Sequence, residues 1–370
     1  VRIGVDFHLA EREGTGNCTY SRNLVEAMLE SGPEHAYFLY VTDPSLPYFG
    51  RFKRMPGVRV RSLPSGNPLI RIPALGLRSF SDRLDILHVQ YAAPPFNRGS
   101  LVVTVHDLSF LHHPQCFPKA MRLYLKATVR ISLRRADRVL TISEYSRKDI
   151  VESYSLPVQR IAVTPLAAAA EFKPVVHPGE AEKVLRAFGI GERYILYVGR
   201  FDARKNIPLL LRAFADLKRD LKIPHLLVLI GESDLRTEKP GRNPSHLWSG
   251  DGIMRLGFVP FETLPALYSR AEAFVYPSLY EGFGLPVVEA MACGAPVIVS
   301  KSSSLPEIVG EAGLFFDPLR VDELSEAIQR IISDRTLRED MRQKGMKQAK
   351  KFAWSRAARL TLEAYQQARG

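Results

Sequence analysis

Two glutamates, Glu281 and Glu289, stand eight residues apart in the stretch FVYPSLYEGFGLPVVEAMACGAPVIVS, which runs from Phe274 to Ser300. Between them, Gly282 and Gly284 let the backbone come close to a ligand. Leu285 to Cys293 has the apolar composition of a buried helix, with Pro286 in its first turn and Gly294 just past its end. The N–H groups of Phe283, Gly284 and Leu285 open that helix and, with its dipole, make an anion site. Glu289 lies one turn further on the same side, placed to reach a hydroxyl beside a held anion. The alternative is a glycine turn in an ordinary α/β domain, with Glu281 solvated and Glu289 on an outer face. A carboxylate on a helix otherwise built of Leu, Pro, Val, Ala and Met weighs against that, since a buried charge needs a reason.

Other groups stand where strands end. Tyr194 to Val198 reads as a buried strand, followed by GRFDARKN and a helix from Pro208. Arg200 and Lys205 in that loop can converge on one anion, Arg bidentately and Lys as a point charge, or else be two surface cations beside a turn. Leu101 to Val105 is another apolar strand and runs into His106 and Asp107. His106 is either a strand-end histidine with a structural hydrogen bond or a site residue. Gly14 and Gly16 follow the first strand, as a flexible turn or as a second place where backbone approaches a ligand.

The elements that must position these groups read as α/β. Apolar runs without alternation at Asp85 to Val89 and Leu101 to Val105 mark core strands of a parallel sheet, and Val1 to Val5, Tyr194 to Val198, Leu226 to Ile230, Ile253 to Phe258 and Ala273 to Tyr276 read as further strands. Such sheets bind ligands at the carboxyl ends of their strands. Strands at Tyr37 to Val41 and Val58 to Leu63 are set apart by Pro- and Gly-rich loops, and a helix spans about Thr19 to Glu30. Ala295 to Val299 is a strand after the glutamate helix, and Ser302, Ser303 and Ser304 are expected to cap the next helix.

At 370 residues the chain is too long for one ordinary core and suits two domains. No apolar segment is long enough to cross a bilayer, and the chain opens on a strand without a signal-peptide pattern. Its three scattered cysteines suggest neither disulfides nor a zinc site, so the cytosol is the expected compartment. The net charge of +12 is uneven: residues 1–170 hold 22 Lys/Arg against 14 Asp/Glu, and residues 171–370 hold 29 against 25. Lys119 to Arg138 is the most basic segment, with Arg122, Lys126, Arg130, Arg134 and Arg138 every four residues. This is either a solvated helix face or an electrostatic foot on anionic lipid, at the inner face of a membrane. Nucleic acid is disfavoured, because the helix lacks interleaved aromatics.

The string EGFGLPVVEAMACGAPVI, with VTVHD, the GR…K loop and TISEYSRKDI followed by RIAVTPL, resembles the retaining, nucleotide-sugar-dependent glycosyltransferases of family 4 (glycosyl transferases group 1), which include bacterial mannosyl- and glucosyltransferases. That resemblance implies the GT-B fold, two facing Rossmann-like domains with a cleft between them. The corresponding division is residues 1–170 as acceptor domain, 171–190 as linker and 191–356 as donor domain, with helix 357–370 crossing back to the first. It assigns the donor diphosphate to Arg200, Lys205 and the glycine loop of Gly14 and Gly16, which has one glycine fewer than the family's usual three. The sugar falls to Glu281 and His106, with Asp107 positioning the loop. The ribose falls to Glu289, and the base to the backbone around Phe258 and Val259.

The expected reaction is transfer of a hexosyl unit, mannose favoured and glucose second, with retention. GDP-mannose is the favoured donor, and the acceptor is a lipid-linked or saccharide hydroxyl in cell-surface polysaccharide synthesis. The absence of any Asp-x-Asp pair points to a basic grip in place of a metal, and no cofactor is implied. The rivals are a sucrose- or trehalose-type synthase with a small soluble acceptor and, behind it, a basic nucleic-acid-binding protein.

Overall fold

The computed structural model describes residues 1–232 and 252–369. The chain divides into two compact units: Val1–His112, Lys119–Leu166 and the segment from Ala353 on form the first, and His113–Pro118 with Ala167–Phe352 form the second.

In the first unit, β1 (Arg2–Asp6) leads to α1 (Gly16–Ser31), β2 (Ala36–Val41), β3 (Val58–Ser62) and α2 (Pro68–Ser81). Then come β4 (Ile86–Gln90), β5 (Ser100–Thr104), the short α3 (Ser109–His112), α4 (Lys119–Arg135), β6 (Arg138–Thr141), α5 (Glu144–Tyr154) and β7 (Ile161–Val163). The strands pair in parallel in the order β3-β2-β1-β4-β5-β6-β7 among the described residues. The apolar side chains of the inner strands β2, β1, β4, β5 and β6 are buried on both faces, as a helix-covered parallel sheet requires.

Helix α1 starts at Gly16, three residues before its expected start, because the Thr15 side chain accepts from the Cys18 amide and caps it. Helix α2 is absent from the pattern read above. Pro73 and Gly76, both poor helix formers, lie inside it, and apolar residues occupy its open face as well as its buried one. Helix α4 ends at Arg135, which corrects the five-residue basic stripe: Arg138 lies in β6, where its guanidinium bonds the Gln159 carbonyl and Gln367.

The second unit runs α6 (Pro178–Ala187), β8 (Tyr194–Val198), α7 (Ile207–Leu221), β9 (Leu226–Ile230), β10 (Ile253–Gly257), α8 (Leu264–Arg270) and β11 (Ala273–Tyr276). It continues with α9 (Leu285–Ala292), β12 (Val297–Ser300), α10 (Leu305–Val309), β13 (Gly313–Phe316), α11 (Val321–Ser333) and α12 (Arg335–Ala349). Its strand order is β10-β9-β8-β11-β12-β13, again parallel among the described residues. The order reverses between β8 and β11, so the loops after these two strands open side by side at a topological switch point. The chain then returns to the first unit with α13 (Trp354–Arg369), which packs on α1. Gly370, the end of the expected last helix, lies outside the described residues.

Candidate functional site

The two loops at the switch point of the second unit carry the charged residues singled out by their spacing. After β8 the chain gives Gly199, Arg200 and, in a 3-10 turn, buried Lys205; after β11 it gives Glu281 and the start of α9. The Lys205 ammonium donates to Glu281 Oε1 at 2.5 Å and to the Tyr276 hydroxyl oxygen at 2.6 Å. Glu281 also acts on Tyr276 through its charge, so the three side chains form one ring of mutual interactions around the Lys205 ammonium. Burial, and then the Glu281 charge, hold the Tyr276 phenol well above its ordinary pKa, so it stays neutral. Arg200 is exposed on the same loop, and its carbonyl accepts from the Tyr197 hydroxyl at 3.0 Å.

Ser302, Ser303 and Ser304 do not cap α10. Ser302 donates to the Ser278 carbonyl at 2.7 Å, Ser303 accepts from the Glu281 amide at 2.7 Å, and Ser304 donates to the Glu281 carbonyl at 3.0 Å. The serines therefore fix the backbone on both sides of the Glu281 side chain. Gly284 precedes α9 with φ 92°, and a Cβ there would come within 2.6 Å of Leu305 Cδ2. Only glycine takes that turn without strain. Phe283 faces inward, edge-on to Phe352 with ring centroids 5.5 Å apart, so it can offer a ligand only its backbone. Leu285 is likewise buried.

Glu289, also buried, sits on α9 with Tyr268 donating to its Oε2 at 3.2 Å. Burial lifts its carboxyl from 4.5 to about 7, with the Tyr268 hydrogen bond pulling the other way. Val259 is buried and Phe258 is 68% exposed, just past β10.

In the first unit, buried His106 follows β5, and its Nε2 lies 2.8 Å from Gln90 Oε1. The Gln90 amide donates in turn to Ser21 Oγ at 2.9 Å, which fixes the orientation of the amide. The imidazole is flanked by Tyr20, edge-on at 4.5 Å between centroids, and by Tyr91 at 5.6 Å. Burial, only partly opposed by Asp107, lowers His106 to about 4, so it is neutral near pH 7. A neutral ring that donates from Nε2 presents Nδ1 as an acceptor. Asp107 accepts from the Ser109 amide at 2.9 Å and so shapes the turn into α3. Gly14 has φ 73°, whereas Gly16 opens α1 with space around it for a Cβ.

Sequence reasoning missed Tyr276, Gln90 and the serines around Glu281. It also missed a buried ion pair at the end of β1, where Asp6 meets Arg71 at 2.5 Å and His8 at 2.8 Å. Burial disfavours the Asp6 carboxylate, but His8 and Arg71 more than offset that and hold its pKa far below the usual range. Asp6 and Gln90 are polar residues at the carboxyl ends of apolar strands, the signal that pointed to His106. Tyr276 gives no such signal, because a tyrosine in a buried strand reads as core.

Comparison with known proteins agrees with this geometry. Residues 16–170 match the model described as Glycosyltransferase Family 4, and residues 182–348 match the model described as Glycosyl transferases group 1. O-antigen chain mannosyltransferase B from Escherichia coli is 38% identical over 300 residues, covering 80% of this chain and 77% of that protein. Among solved structures, sucrose-phosphate synthase from Thermosynechococcus elongatus superposes with a TM-score of 0.77 at 24% identity, covering 99% of this chain and 98% of its own. WaaG, a glycosyltransferase involved in lipopolysaccharide biosynthesis, superposes with a TM-score of 0.74 at 15% identity, covering 98% of this chain and 99% of its own. Two parallel α/β units with paired glutamates at the second switch point, together with these matches, identify the chain as a GT-B glycosyltransferase that belongs to glycosyltransferase family 4.

Proposed function

We propose that this glycosyltransferase moves a mannosyl unit, or secondly a glucosyl unit, from a nucleoside diphosphate sugar to a hydroxyl of a lipid-linked or saccharide acceptor, with retention at the anomeric carbon. The observation that carries the reading is the buried Lys205–Tyr276–Glu281 ring beside the amino terminus of α9. Similarity to a protein named O-antigen chain mannosyltransferase B supports mannose and a role in cell-surface polysaccharide synthesis. GDP-mannose is the donor we favour.

The chemistry follows from charge. As the bond to the anomeric carbon breaks, positive charge grows on the sugar and negative charge on the departing diphosphate. Arg200, Lys205 and the amides of Phe283, Gly284 and Leu285 meet the negative charge, each charge-assisted bond being worth about 1.5–3 kcal/mol. Glu281 holds sugar hydroxyls and favours the cationic carbon. Glu289 takes the ribose hydroxyls, and backbone around Phe258 and Val259 takes the base. Gly14, Gly16, His106 and Asp107 are assigned to the substrate as well, His106 as acceptor for a sugar hydroxyl. This basic grip makes a resident metal unnecessary, so turnover should persist in a chelator.

Peripheral attachment at the inner face of a membrane fits the first unit. Helix α4 exposes Lys126, Arg130 and Arg134 among Leu123 and Ile131. Helix α2 exposes Leu69, Ile70, Leu77 and Phe80. No helix among the described residues is long and apolar enough to cross a membrane.

The test is thermal stabilisation by GDP-, UDP- and ADP-sugars, followed by transfer assays with the donor class that raises the midpoint. Glu281→Ala and Arg200→Ala should each slow turnover far more than they lower the melting point. Near wild-type turnover in both would overturn the reading.

A further inference from the structure

We infer that Tyr276 is a positioning residue of the donor site, whose hydroxyl keeps the Lys205 ammonium in place as that group is handed from the Glu281 carboxylate to an incoming diphosphate. This rests on the function proposed above and goes beyond it, because Tyr276 is the last residue of buried strand β11 and belongs to neither charged loop.

Buried Lys205 needs an acceptor wherever it points, and it has two, Glu281 Oε1 at 2.5 Å and the Tyr276 oxygen at 2.6 Å. A phenol oxygen accepts from the ammonium through a lone pair, and Tyr276 does so. In this arrangement the charges of Lys205 and Glu281 neutralise each other. A diphosphate that draws Lys205 onto its oxygens takes from Glu281 the cation that held it. The carboxylate then has capacity for sugar hydroxyls. The ammonium keeps one fixed acceptor, the Tyr276 oxygen, so it has an anchor while its other hydrogen bonds turn to the ligand. Phosphate capture and release of the sugar-binding carboxylate become one event.

The anchor is itself held rigid. Tyr276 is 1% exposed and stacks on Tyr197 at 6.0 Å between centroids and 17° between planes, and on Phe274 at 5.9 Å and 22°. Tyr197 spends its hydroxyl on the Arg200 carbonyl at 3.0 Å. Two stacked tyrosines therefore reach up from adjacent strands β8 and β11, one to each basic residue of the grip.

The experiment is a double-mutant cycle on the full chain with Tyr276→Phe and Lys205→Ala. It reads turnover, KM for the donor and the melting point with and without nucleoside diphosphate. Tyr276→Phe alone should lower turnover by roughly ten- to hundredfold, the worth of one charge-assisted hydrogen bond. In the Lys205→Ala background it should cost almost nothing further, because the group it positions is gone. Losses that multiply, or a Tyr276→Phe protein that melts earlier with turnover intact, would overturn the inference and leave Tyr276 a core residue. If the wild type neither transfers nor is stabilised by any nucleoside diphosphate, the proposed function fails instead. The ring is then judged by the unliganded melting points alone, where non-additive losses support it and additive ones overturn it.

Discussion

Glu289 has a buried carboxyl lifted from 4.5 to about 7, so the folded chain holds its proton more tightly than the unfolded one does. The stability this confers is fully present below about pH 4.5 and is lost as pH rises through about 7, a total of roughly 3 kcal/mol if the whole shift is realised. Glu289→Gln should remove that loss: between pH 5 and 7 the variant's unfolding free energy should stay flatter than that of the wild type in parallel denaturant titrations. The same reasoning, with opposite sign, applies to His106, which burial keeps neutral while Gln90 Oε1 accepts a hydrogen bond from its Nε2–H. The charged and titratable groups around it are Asp107, His88, Tyr20 and Tyr91. In Gln90→Glu a carboxylate beside Nε2 favours the imidazolium and turns Nδ1 from acceptor to donor. The variant's kcat/KM should then fall more steeply than that of the wild type as pH is lowered through the neutral range, and Glu289→Gln in both backgrounds removes the contribution of that carboxyl. Parallel profiles in variant and wild type would remove the acceptor role from Nδ1.

Strands and helix ends decide how much of this was readable in advance. The buried strands were legible because parallel sheets need unbroken apolar runs, and Tyr194–Val198, Leu226–Ile230 and Ala273–Tyr276 fall where the pattern set them. The charged residues beyond them were legible for the same reason, since a charge at the end of such a run has few structural uses. Helix α2 was not legible, with Pro73 and Gly76 inside it and an open apolar face. Nor was the clamp on Glu281, because Ser303 and Ser304 sit 22 and 23 residues away in sequence and meet it only through the adjacency of β11 and β12. The start of α9 carries its own prediction. Gly284→Ala would force a Cβ into the left-handed region and against Leu305, a strain of about 1–3 kcal/mol. Relief must turn the amides of Phe283 and Leu285, so nucleoside diphosphate affinity should fall together with the melting point, as calorimetric titration and thermal denaturation would register.

At the scale of the whole molecule, the return of the chain end ties the first unit's stability to residues far from it in sequence. Helix α13 buries Ala357, Ala358, Thr361, Ala364 and Tyr365, and the Tyr365 hydroxyl reaches His88 Nδ1 at 2.6 Å. His88 Nε2 meets Thr104 Oγ1 at 2.6 Å, and Thr104 meets the Tyr20 hydroxyl at 2.9 Å, so the last helix is joined by hydrogen bonds to the residue that packs on His106. Burial lowers His88 to about 3, with His106 adding to the effect and Asp6 opposing it, so the chain of bonds runs through neutral groups only. Deleting residues 353–370 leaves that histidine with a nitrogen unpaired and strips the cover from Met28 and α1. Helix α13 belongs to the first unit, so the switch-point loops of the second should survive the deletion. The truncated chain should therefore show early proteolytic cleavage confined to residues 1–166, lose transfer activity, and still be stabilised by nucleoside diphosphate. Loss of nucleotide stabilisation along with the first unit would mean that the Lys205–Tyr276–Glu281 ring does not by itself make a binding site, and that residues of the first unit are needed to hold the donor.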